Sequence, residues 1–268
     1  PTRPPVVLVH GAFANRRFWC GGAAFGFAGR LIQQGHEVWI PEMRGHGRSP
    51  MHPGWSRNSL SAIALQDWPA VSAFIHEQTH RRAHWVGYGA GALSLALALI
   101  ESPLFRLSAL SACFVDTHIE PRRWMAQGPR TARVRRWWKQ RNGVYDGVAD
   151  GLGAEPEAPG VLRELQRWML QERGESHPIR SRLAAVDIPA CVLSFGNQPE
   201  SRARDQRFTG LLGGQIRQHR STNVPAADAY PVVDGVTEWR LSSRAWSGIL
   251  EWRGQVQPAR STAVVASS

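Results

Sequence analysis

The chain has 268 residues and 43% of them are apolar, which allows one large domain with a full hydrophobic core. No apolar run is long enough to span a membrane and the first five residues lack the apolar core of a signal peptide, so we expect a soluble, cytoplasmic protein. The formal net charge is +11, but no helix-turn-helix, zinc-finger or RNA-binding motif accompanies it, and the sequence therefore indicates no nucleic-acid partner.

Strand and helix signals alternate in the first 80 residues, which is typical of a parallel sheet covered on both faces. The first strand is a continuous apolar run that ends at His10-Gly11-Ala12-Phe13. A helix is predicted over residues 58–80, with Asn58 as its cap and Pro69 as a residue that should kink it. Its apolar face lies at positions 63, 65, 71, 74 and 75. The predicted elements are a strand over 6–10, a helix over 18–34, a strand over 36–41, a Gly-rich turn over 42–49 and a helix over 58–80.

The stretch over residues 84–99 organises the rest of the chain. A short apolar run passes through Gly87, Gly89 and Gly91 and continues into an Ala- and Leu-rich segment, which predicts a buried strand, a very sharp turn and a helix. This is the arrangement of a nucleophile elbow, in which the flanking glycines let strand and helix cross closely and the central residue presents its side chain at the helix N-terminus. A serine stands at the centre of that pattern, whereas this chain has Gly89.

The second half of the chain resumes the alternation after an interruption. Residues 117–177 carry no strand signal, and we interpret them as a helical cap above the carboxyl ends of the strands, with a flexible region over 143–160. Two cysteines in apolar runs, Cys113 and Cys191, are predicted to be inert core thiols. The further predicted elements are strands over 107–115, 188–196 and 215–219, and helices over 202–212 and 241–252. The predicted units are an α/β core over 1–116 and 178–254, the cap over 117–177 and a flexible tail over 255–268.

Three motifs in combination make the chain resemble the α/β-hydrolase superfamily over residues 5–253. They are the strand before His10-Gly11, the turn Arg44-Gly45-His46-Gly47-x-Ser49 and the elbow at 87–91. The resemblance implies a mostly parallel sheet flanked by helices, a helical cap and a Ser-acid-His triad in that chain order, as in carboxylesterases and lipases. It also implies an oxyanion hole from the amides of Ala12 and Ala90, although a His-Gly pair after a strand by itself indicates only a tight turn.

Two positions of the implied triad carry glycine. The nucleophile position is Gly89, and a hydrogen atom cannot attack a carbonyl. The histidine position falls in the loop before the closing helix, where no histidine occurs and the spacing favours Gly235 over Glu238. His219 is the only histidine after Glu200, and it falls within the last predicted strand, too early for the role.

The acid of the implied triad should follow the strand that ends at Gly196. Glu200 is the best carboxylate there. Asp205 and the earlier Asp116 are the alternatives.

Residues beside the first strand, the Gly-rich turn and the elbow are candidates for the lining of a pocket. These are His10, Phe13, His46 and Tyr88. For His10 and His46 the alternative is that each is a hydrogen-bonded loop residue.

Residues 122–141 are rich in arginine and tryptophan and contain no acidic residue. Such a segment can form a lid that recruits anionic or amphipathic ligands, or that touches a membrane surface. The interpretation that we favour is a solvated cationic helix face whose tryptophans pack on the core.

The sequence leaves three hypotheses about function. The first is a carboxylesterase- or lipase-like protein whose ester hydrolysis is impaired by the loss of serine and histidine, whether by drift or by deliberate substitution. The second is a non-catalytic homologue that binds a ligand under the cap, and the third is a nucleophile-independent lyase, cyclase or oxygenase. We expect a small ester or an amphipathic molecule as ligand, and neither a metal nor a cofactor.

Overall fold

A six-stranded parallel sheet forms the centre of the protein. The computed structural model describes residues 3–21, 26–117, 144–148, 153–170, 179–195, 199–214 and 217–222. The strands are β1 (Val6–Val9), β2 (Val38–Trp39), β3 (Ala83–Tyr88), β4 (Ala109–Val115), β5 (Ala190–Phe195) and β6 (Arg217–Thr222). Their order across the sheet is β2-β1-β3-β4-β5-β6, and every neighbouring pair is parallel. The carboxyl ends of all six strands therefore meet at one edge, where the loops that follow β1, β3 and β4 are neighbours.

Helices connect the strands and cover the sheet. They are α1 (Arg17–Cys20), α2 (Gly26–Gln33), α3 (Leu60–Ala62), α4 (Trp68–Thr79), α5 (Ala90–Glu101), α6 (Pro103–Ser108), α7 (Pro159–Leu170) and α8 (Pro199–Leu211). A π-helical turn over Ile63–Asp67 joins α3 to α4, and 3-10 turns occur at Trp55–Arg57 and Arg180–Ala185. Within the described ranges, no helix has the length and apolarity that crossing a bilayer requires.

The core lies on both faces of the sheet. Because side chains alternate along a strand, Val7 and Trp85 pack into the larger apolar cluster on one face, whereas Val6 packs into the cluster on the other face. Cys113 and Cys191 form no disulfide and are fully buried, as predicted. The predicted fold class, an α/β protein with a parallel sheet flanked by helices, is confirmed.

The helix predicted over 58–80 begins and bends differently from the prediction. Ser59 rather than Asn58 caps it, because the Ser59 hydroxyl accepts the N–H of Ala62 at 3.0 Å. Pro69 lies in the first turn of α4, directly after the π-helical turn, so its missing N–H leaves no hydrogen bond broken inside a regular helix. The proline therefore stands at a junction between two helical segments.

The π-helical turn also explains why two residues of the predicted apolar face are exposed. Leu65 is 50% exposed and Phe74 is 52% exposed, whereas Ile63 and Ile75 are buried as predicted. The wider turn shifts the helical periodicity, so positions that a regular helix would place on one face no longer share it.

Three further boundaries differ from the prediction. The helix expected over 18–34 is divided into α1 and α2, because Gly21 adopts an extended backbone and ends α1. Leu107 and Ser108 belong to α6, which starts at Pro103 under a Ser102 cap, and are not part of the following strand. The second strand is limited to Val38–Trp39, and the last one runs over Arg217–Thr222.

Part of the predicted cap packs firmly against the core. Tyr145 and Glu157 form an antiparallel bridge and are 3% and 1% exposed, and α7 begins at Pro159. The described residues 144–148 and 153–160 of the region predicted to be flexible over 143–160 thus have polar groups that bond to the core. The basic segment 122–141, the closing helix 241–252 and the tail 255–268 lie outside the described residues.

Mutation can show whether Asn58 or Ser59 caps α3. We expect Ser59→Ala to lower the free energy of unfolding by about 1 kcal/mol, because it leaves the Ala62 N–H without its acceptor. Asn58→Ala should have a clearly smaller effect, since Asn58 does not cap the helix. Urea unfolding of both variants measures the difference, and an Asn58→Ala cost equal to or above that of Ser59→Ala would contradict the assignment.

Candidate active site

The connection between β3 and α5 has the backbone of a nucleophile elbow. Strand β3 ends at Tyr88, α5 begins at Ala90, and the one residue between them, Gly89, has φ 53° and ψ −118°. Residues with a side chain rarely adopt this combination, which turns the chain sharply from strand to helix. The N–H of Gly89 donates to the carbonyl of Val115 at 2.9 Å, so the turn is tied to the end of the neighbouring strand β4.

The three glycines of the elbow have different structural roles. A Cβ atom at position 91 would lie 2.2 Å from the carbonyl oxygen of His10, and one at position 87 would lie 2.7 Å from the Cα of Ala92. Both positions therefore require glycine because the backbones cross so closely. A Cβ atom at position 89 would meet no other atom within 4 Å. Position 89 thus has room for a projecting side chain, which is the property that a nucleophile position needs.

Two backbone amides flank the elbow at the carboxyl edge of the sheet. Ala12 lies in the loop after β1, and Ala90 is the first residue of α5. Because β1 and β3 are paired, these two segments are neighbours. Among the described residues neither amide N–H has a hydrogen-bond partner. Both amides therefore remain able to donate to a ligand oxygen, as an oxyanion hole requires.

The three candidate carboxylates occupy different places. Asp116 follows β4 directly, is buried and has φ 52°, and it lies next to the elbow because the preceding residue accepts the N–H of Gly89. Asp205 is fully buried on α8, where its carboxylate accepts the hydroxyl of Thr117. Glu200 lies in the first turn of α8, close after β5 in the chain. Asp116 thus follows the strand that pairs with β3 beside the elbow.

The positions expected for the triad histidine, Gly235 and Glu238, lie outside the described residues. His219 lies in the middle of β6, where it pairs with Val192 of β5, as the sequence predicts. Its assignment as a strand residue is therefore confirmed.

His10 is fully buried and uses both ring nitrogens within the protein. Its Nδ1 donates to the carbonyl of Gly11 at 2.9 Å, and its Nε2 accepts the N–H of Met43 at 3.1 Å. Since one nitrogen faces an acceptor and the other a donor, the ring fits this site only in its neutral form. Burial and the nearby His46 lower its pKa from 6.5 to about 3. His10 therefore links the loop after β1 to the loop after β2.

His46 is buried as well, with its ring centroid 5.3 Å from that of His10. Its Nδ1 donates to the carbonyl of Arg44 at 3.3 Å, and its Nε2 lies 3.2 Å from Oε2 of Glu157 in an ion pair. Burial acts to lower the pKa of His46, but the charge of Glu157 and the contacts with acceptors outweigh it and raise the pKa. The pKa values of the two adjacent histidines are thus shifted in opposite directions.

The remaining candidates pack beside this pair. Phe13 is 3% exposed, has φ 59° and packs against the ring of Tyr145 at 5.6 Å. Tyr88 stacks on Phe18 with 4.4 Å between ring centroids and lies over Gly11, where a Cβ would be 2.9 Å from its ring. Both side chains therefore support the loop that carries Ala12.

Comparison of the whole sequence with known protein families decides the relationship. The sequence profile of the alpha/beta hydrolase family matches residues 6–246, which is most of the chain. The chain belongs to the α/β-hydrolase family. This confirms the resemblance that the His-Gly pair, the Gly-rich turn and the elbow indicated.

Relatives of this α/β hydrolase include an esterase and a probable lipase. A pimeloyl-[acyl-carrier protein] methyl ester esterase from Methylococcus capsulatus is 26% identical over 188 residues, which cover 69% of this chain and 62% of the relative. A probable lipase from Schizosaccharomyces pombe is 27% identical over 133 residues, which cover 45% of this chain and 28% of the relative. The chain thus spans less than two thirds of the length of these relatives.

Solved structures of lipases and esterases share the fold. The monoacylglycerol lipase of Paleococcus ferrophilus superposes with a TM-score of 0.59 at 15% identity, covering 95% of this chain and 96% of the lipase. A thermophilic esterase from Thermogutta terrifontis superposes with a TM-score of 0.62 at 16% identity, covering 96% and 92%. At these identities the likeness establishes the fold alone.

Two glutamates beside the His10–His46 pair, Glu155 and Glu157, were not predicted from the sequence. Glu155 and Glu157 lie in the segment interpreted as flexible, yet both bond to the loops after β1 and β2. No periodicity marks them, because their partners are backbone amides and side chains more than 100 residues away. The Glu-Pro-Glu spacing itself carries no known signature of such a role.

The glycine requirement of the elbow is testable by three alanine variants. Gly91→Ala should cost about 3 kcal/mol or more of unfolding free energy, because its Cβ would overlap the His10 carbonyl. Gly89→Ala should cost about 1–2 kcal/mol, since only backbone strain opposes it. Gly210→Ala in α8, where a Cβ meets no atom, serves as the control and should be neutral or stabilising. Equal costs at positions 89 and 91 would contradict this account.

The buried His10 makes stability depend on pH. In the unfolded chain the His10 ring takes up a proton below pH 6.5, whereas in the folded protein it stays neutral until about pH 3. The stability that neutral His10 contributes is therefore fully present above pH 6.5 and is lost as the pH falls below it. Between pH 6.5 and about pH 3, the contribution of His10 to the unfolding free energy changes by up to about 1.4 kcal/mol per pH unit. His10→Gln keeps an acceptor for the Met43 N–H and should be less sensitive to acid.

Urea unfolding between pH 7 and pH 4 measures this effect as the stability difference between the unaltered protein and His10→Gln. The difference should shrink as the pH falls. A His10→Gln difference that stays constant over the range would refute the assignment.

Proposed function

We propose that this protein is a carboxylesterase- or lipase-like α/β hydrolase in which serine-dependent ester hydrolysis is lost or severely impaired. The observation that carries the proposal is Gly89 at the centre of an elbow with otherwise intact geometry. The position has the turn conformation and the free space of a nucleophile site, but no hydroxyl. Removing the nucleophile of a serine hydrolase lowers turnover by several orders of magnitude.

The remaining part of the site supports binding of an ester or a related carbonyl compound. The amides of Ala12 and Ala90 are free to donate among the described residues, and helix α5 adds its positive N-terminal end beside them. These groups recognise a carbonyl oxygen without needing the serine. The ligand that we propose is therefore a small ester or an amphipathic acyl compound, in keeping with the esterases and lipases among its relatives.

Glycine at position 89 is compatible with a stable protein. A residue with a side chain would pay a strain cost at φ 53°, whereas glycine adopts this conformation readily. Loss of the serine thus relaxes the elbow while the neighbouring glycines 87 and 91 preserve its shape. The proposed loss of catalysis and retention of the fold are consistent with each other.

Restoring two residues tests the proposal. Neither the unaltered chain nor Gly89→Ser alone should hydrolyse chromogenic esters or be labelled by a fluorophosphonate probe, because a serine without its histidine is not activated. The double variant Gly89→Ser, Gly235→His should be labelled and should hydrolyse short chromogenic esters at least about a hundredfold faster than the unaltered chain. The matched control is Gly89→Ala, Gly235→His, which contains the base but no nucleophile.

Each result bears on a different part of the proposal. Labelling of the unaltered chain would show an active serine elsewhere and would end the proposal. A double variant that folds but neither hydrolyses nor reacts would show that the histidine position has been misplaced. Retention of an ester by the unaltered chain without turnover, measured by calorimetry, supports the binding role.

A further inference from the structure

Phe13 is held in an unfavourable backbone conformation by residues from the cap. Its φ of 59° costs roughly 1–2 kcal/mol for a residue with a side chain, so the surrounding structure must impose it. Its N–H donates to Oε2 of Glu157 at 3.3 Å, and its carbonyl accepts the N–H of Glu155 at 3.0 Å. Both peptide groups of Phe13 are thus fixed from a segment more than 140 residues further along the chain.

The cap approaches Phe13 as closely as backbones can. A Cβ at position 153 would lie 2.2 Å from the Phe13 carbonyl oxygen, and one at position 147 would lie 2.2 Å from the Phe13 ring. Glycines at both positions therefore permit this contact. The conformation of the loop after β1 therefore depends on Gly147 and residues 153–157 as well as on the sheet.

Glu157 is the centre of this contact. Besides the Phe13 N–H, its carboxylate accepts the N–H of Ala158 at 2.8 Å and pairs with His46 at 3.2 Å, while the side chain is 1% exposed. A buried carboxylate is stable only when it is paired and hydrogen-bonded, and these three partners meet that condition. One side chain thus connects the cap, the loop after β1 and the turn at 44–49.

The charged and titratable groups that face His46 come from three elements. Glu157 and Glu155 face it from the cap, and neutral His10 faces it from the end of β1, while the turn at 44–49 contributes the Arg44 carbonyl. The carboxylates and the carbonyl favour the protonated ring. The pair with Glu157 is therefore strongest when His46 carries its proton.

We propose that Glu157 is a positioning residue: its carboxylate, paired with His46, sets the conformation of residues 11–13 and hence the direction of the Ala12 amide. The role of that amide as an oxyanion donor rests on the proposed function. The contact itself does not, because it is a property of the folded chain. The proposal can therefore fail or hold independently of the triad.

Hydrogen exchange in the unaltered protein and in three variants tests the proposal. Protection factors are measured for the peptide over residues 11–17 and for a core peptide in β4, in the natural sequence, Glu157→Gln, Glu157→Ala and Glu164→Gln. Glu164 is the matched control: it is a buried carboxylate of the same cap segment, but it bonds to the backbone and hydroxyl of Ser61. Glu157→Gln should lower the protection of 11–17 by about tenfold and Glu157→Ala by more, with β4 unchanged.

The pH profile separates positioning through the charge pair from ordinary packing. The raised pKa of His46 means that its pairing with Glu157 is complete at low pH and is lost as the pH rises through that pKa. Protection of 11–17 in the unaltered protein should accordingly fall as the pH rises above 6.5, and in Glu157→Gln this dependence should disappear. In Glu164→Gln the profile of the unaltered protein should persist.

The proposal is overturned if Glu157→Gln leaves both the protection and its pH profile unchanged, or if Glu164→Gln lowers protection of 11–17 equally. Should Glu157→Ala fail to fold, the isosteric Glu157→Gln decides alone. None of these measurements depends on ester hydrolysis. A failed restoration of activity at positions 89 and 235 would therefore count against the proposed function and leave this result standing.

Discussion

The close crossing of α5 over the ends of β1 and β3 is the constraint on which the rest of the site depends. The backbone at position 91 approaches the His10 carbonyl so closely that only a hydrogen atom fits between them. This contact brings the loop that carries Ala12 beside the first turn of α5, which carries Ala90. Two amide donors are thus placed together by backbone packing alone, whatever side chain stands at position 89.

This arrangement explains how the α/β-hydrolase fold accommodates glycine at the centre of the elbow. The strained torsion angles at position 89 are imposed by the strand before it and the helix after it, and glycine satisfies them at little cost. The residues that hold the frame, Gly87 and Gly91, are different from the residue that would react. The shape of the elbow therefore depends on positions 87 and 91 and not on a side chain at position 89.

The second constraint is electrostatic and comes from residues 155–164. Glu157 and Glu164 are buried and reach into the core, where backbone amides, a serine hydroxyl and His46 satisfy them. Buried carboxylates are stable only where such partners meet them, so these contacts fix the position of residues 155–164 against the core. His10, a neutral histidine between a donor and an acceptor, ties the loops after β1 and β2 together beneath that contact.

The sequence alone determined the fold class and the elbow, because continuous apolar runs and alternate glycines report local geometry directly. It also placed Gly89 at the centre of the elbow and predicted the burial of Cys113 and Cys191. The tertiary structure alone decided that Ser59 caps α3, that a π-helical turn exposes Leu65, and that Glu157 pairs with His46. Each of these depends on a small shift in backbone register or on partners that are distant in the chain, and neither leaves a periodic signal in the order of the residues.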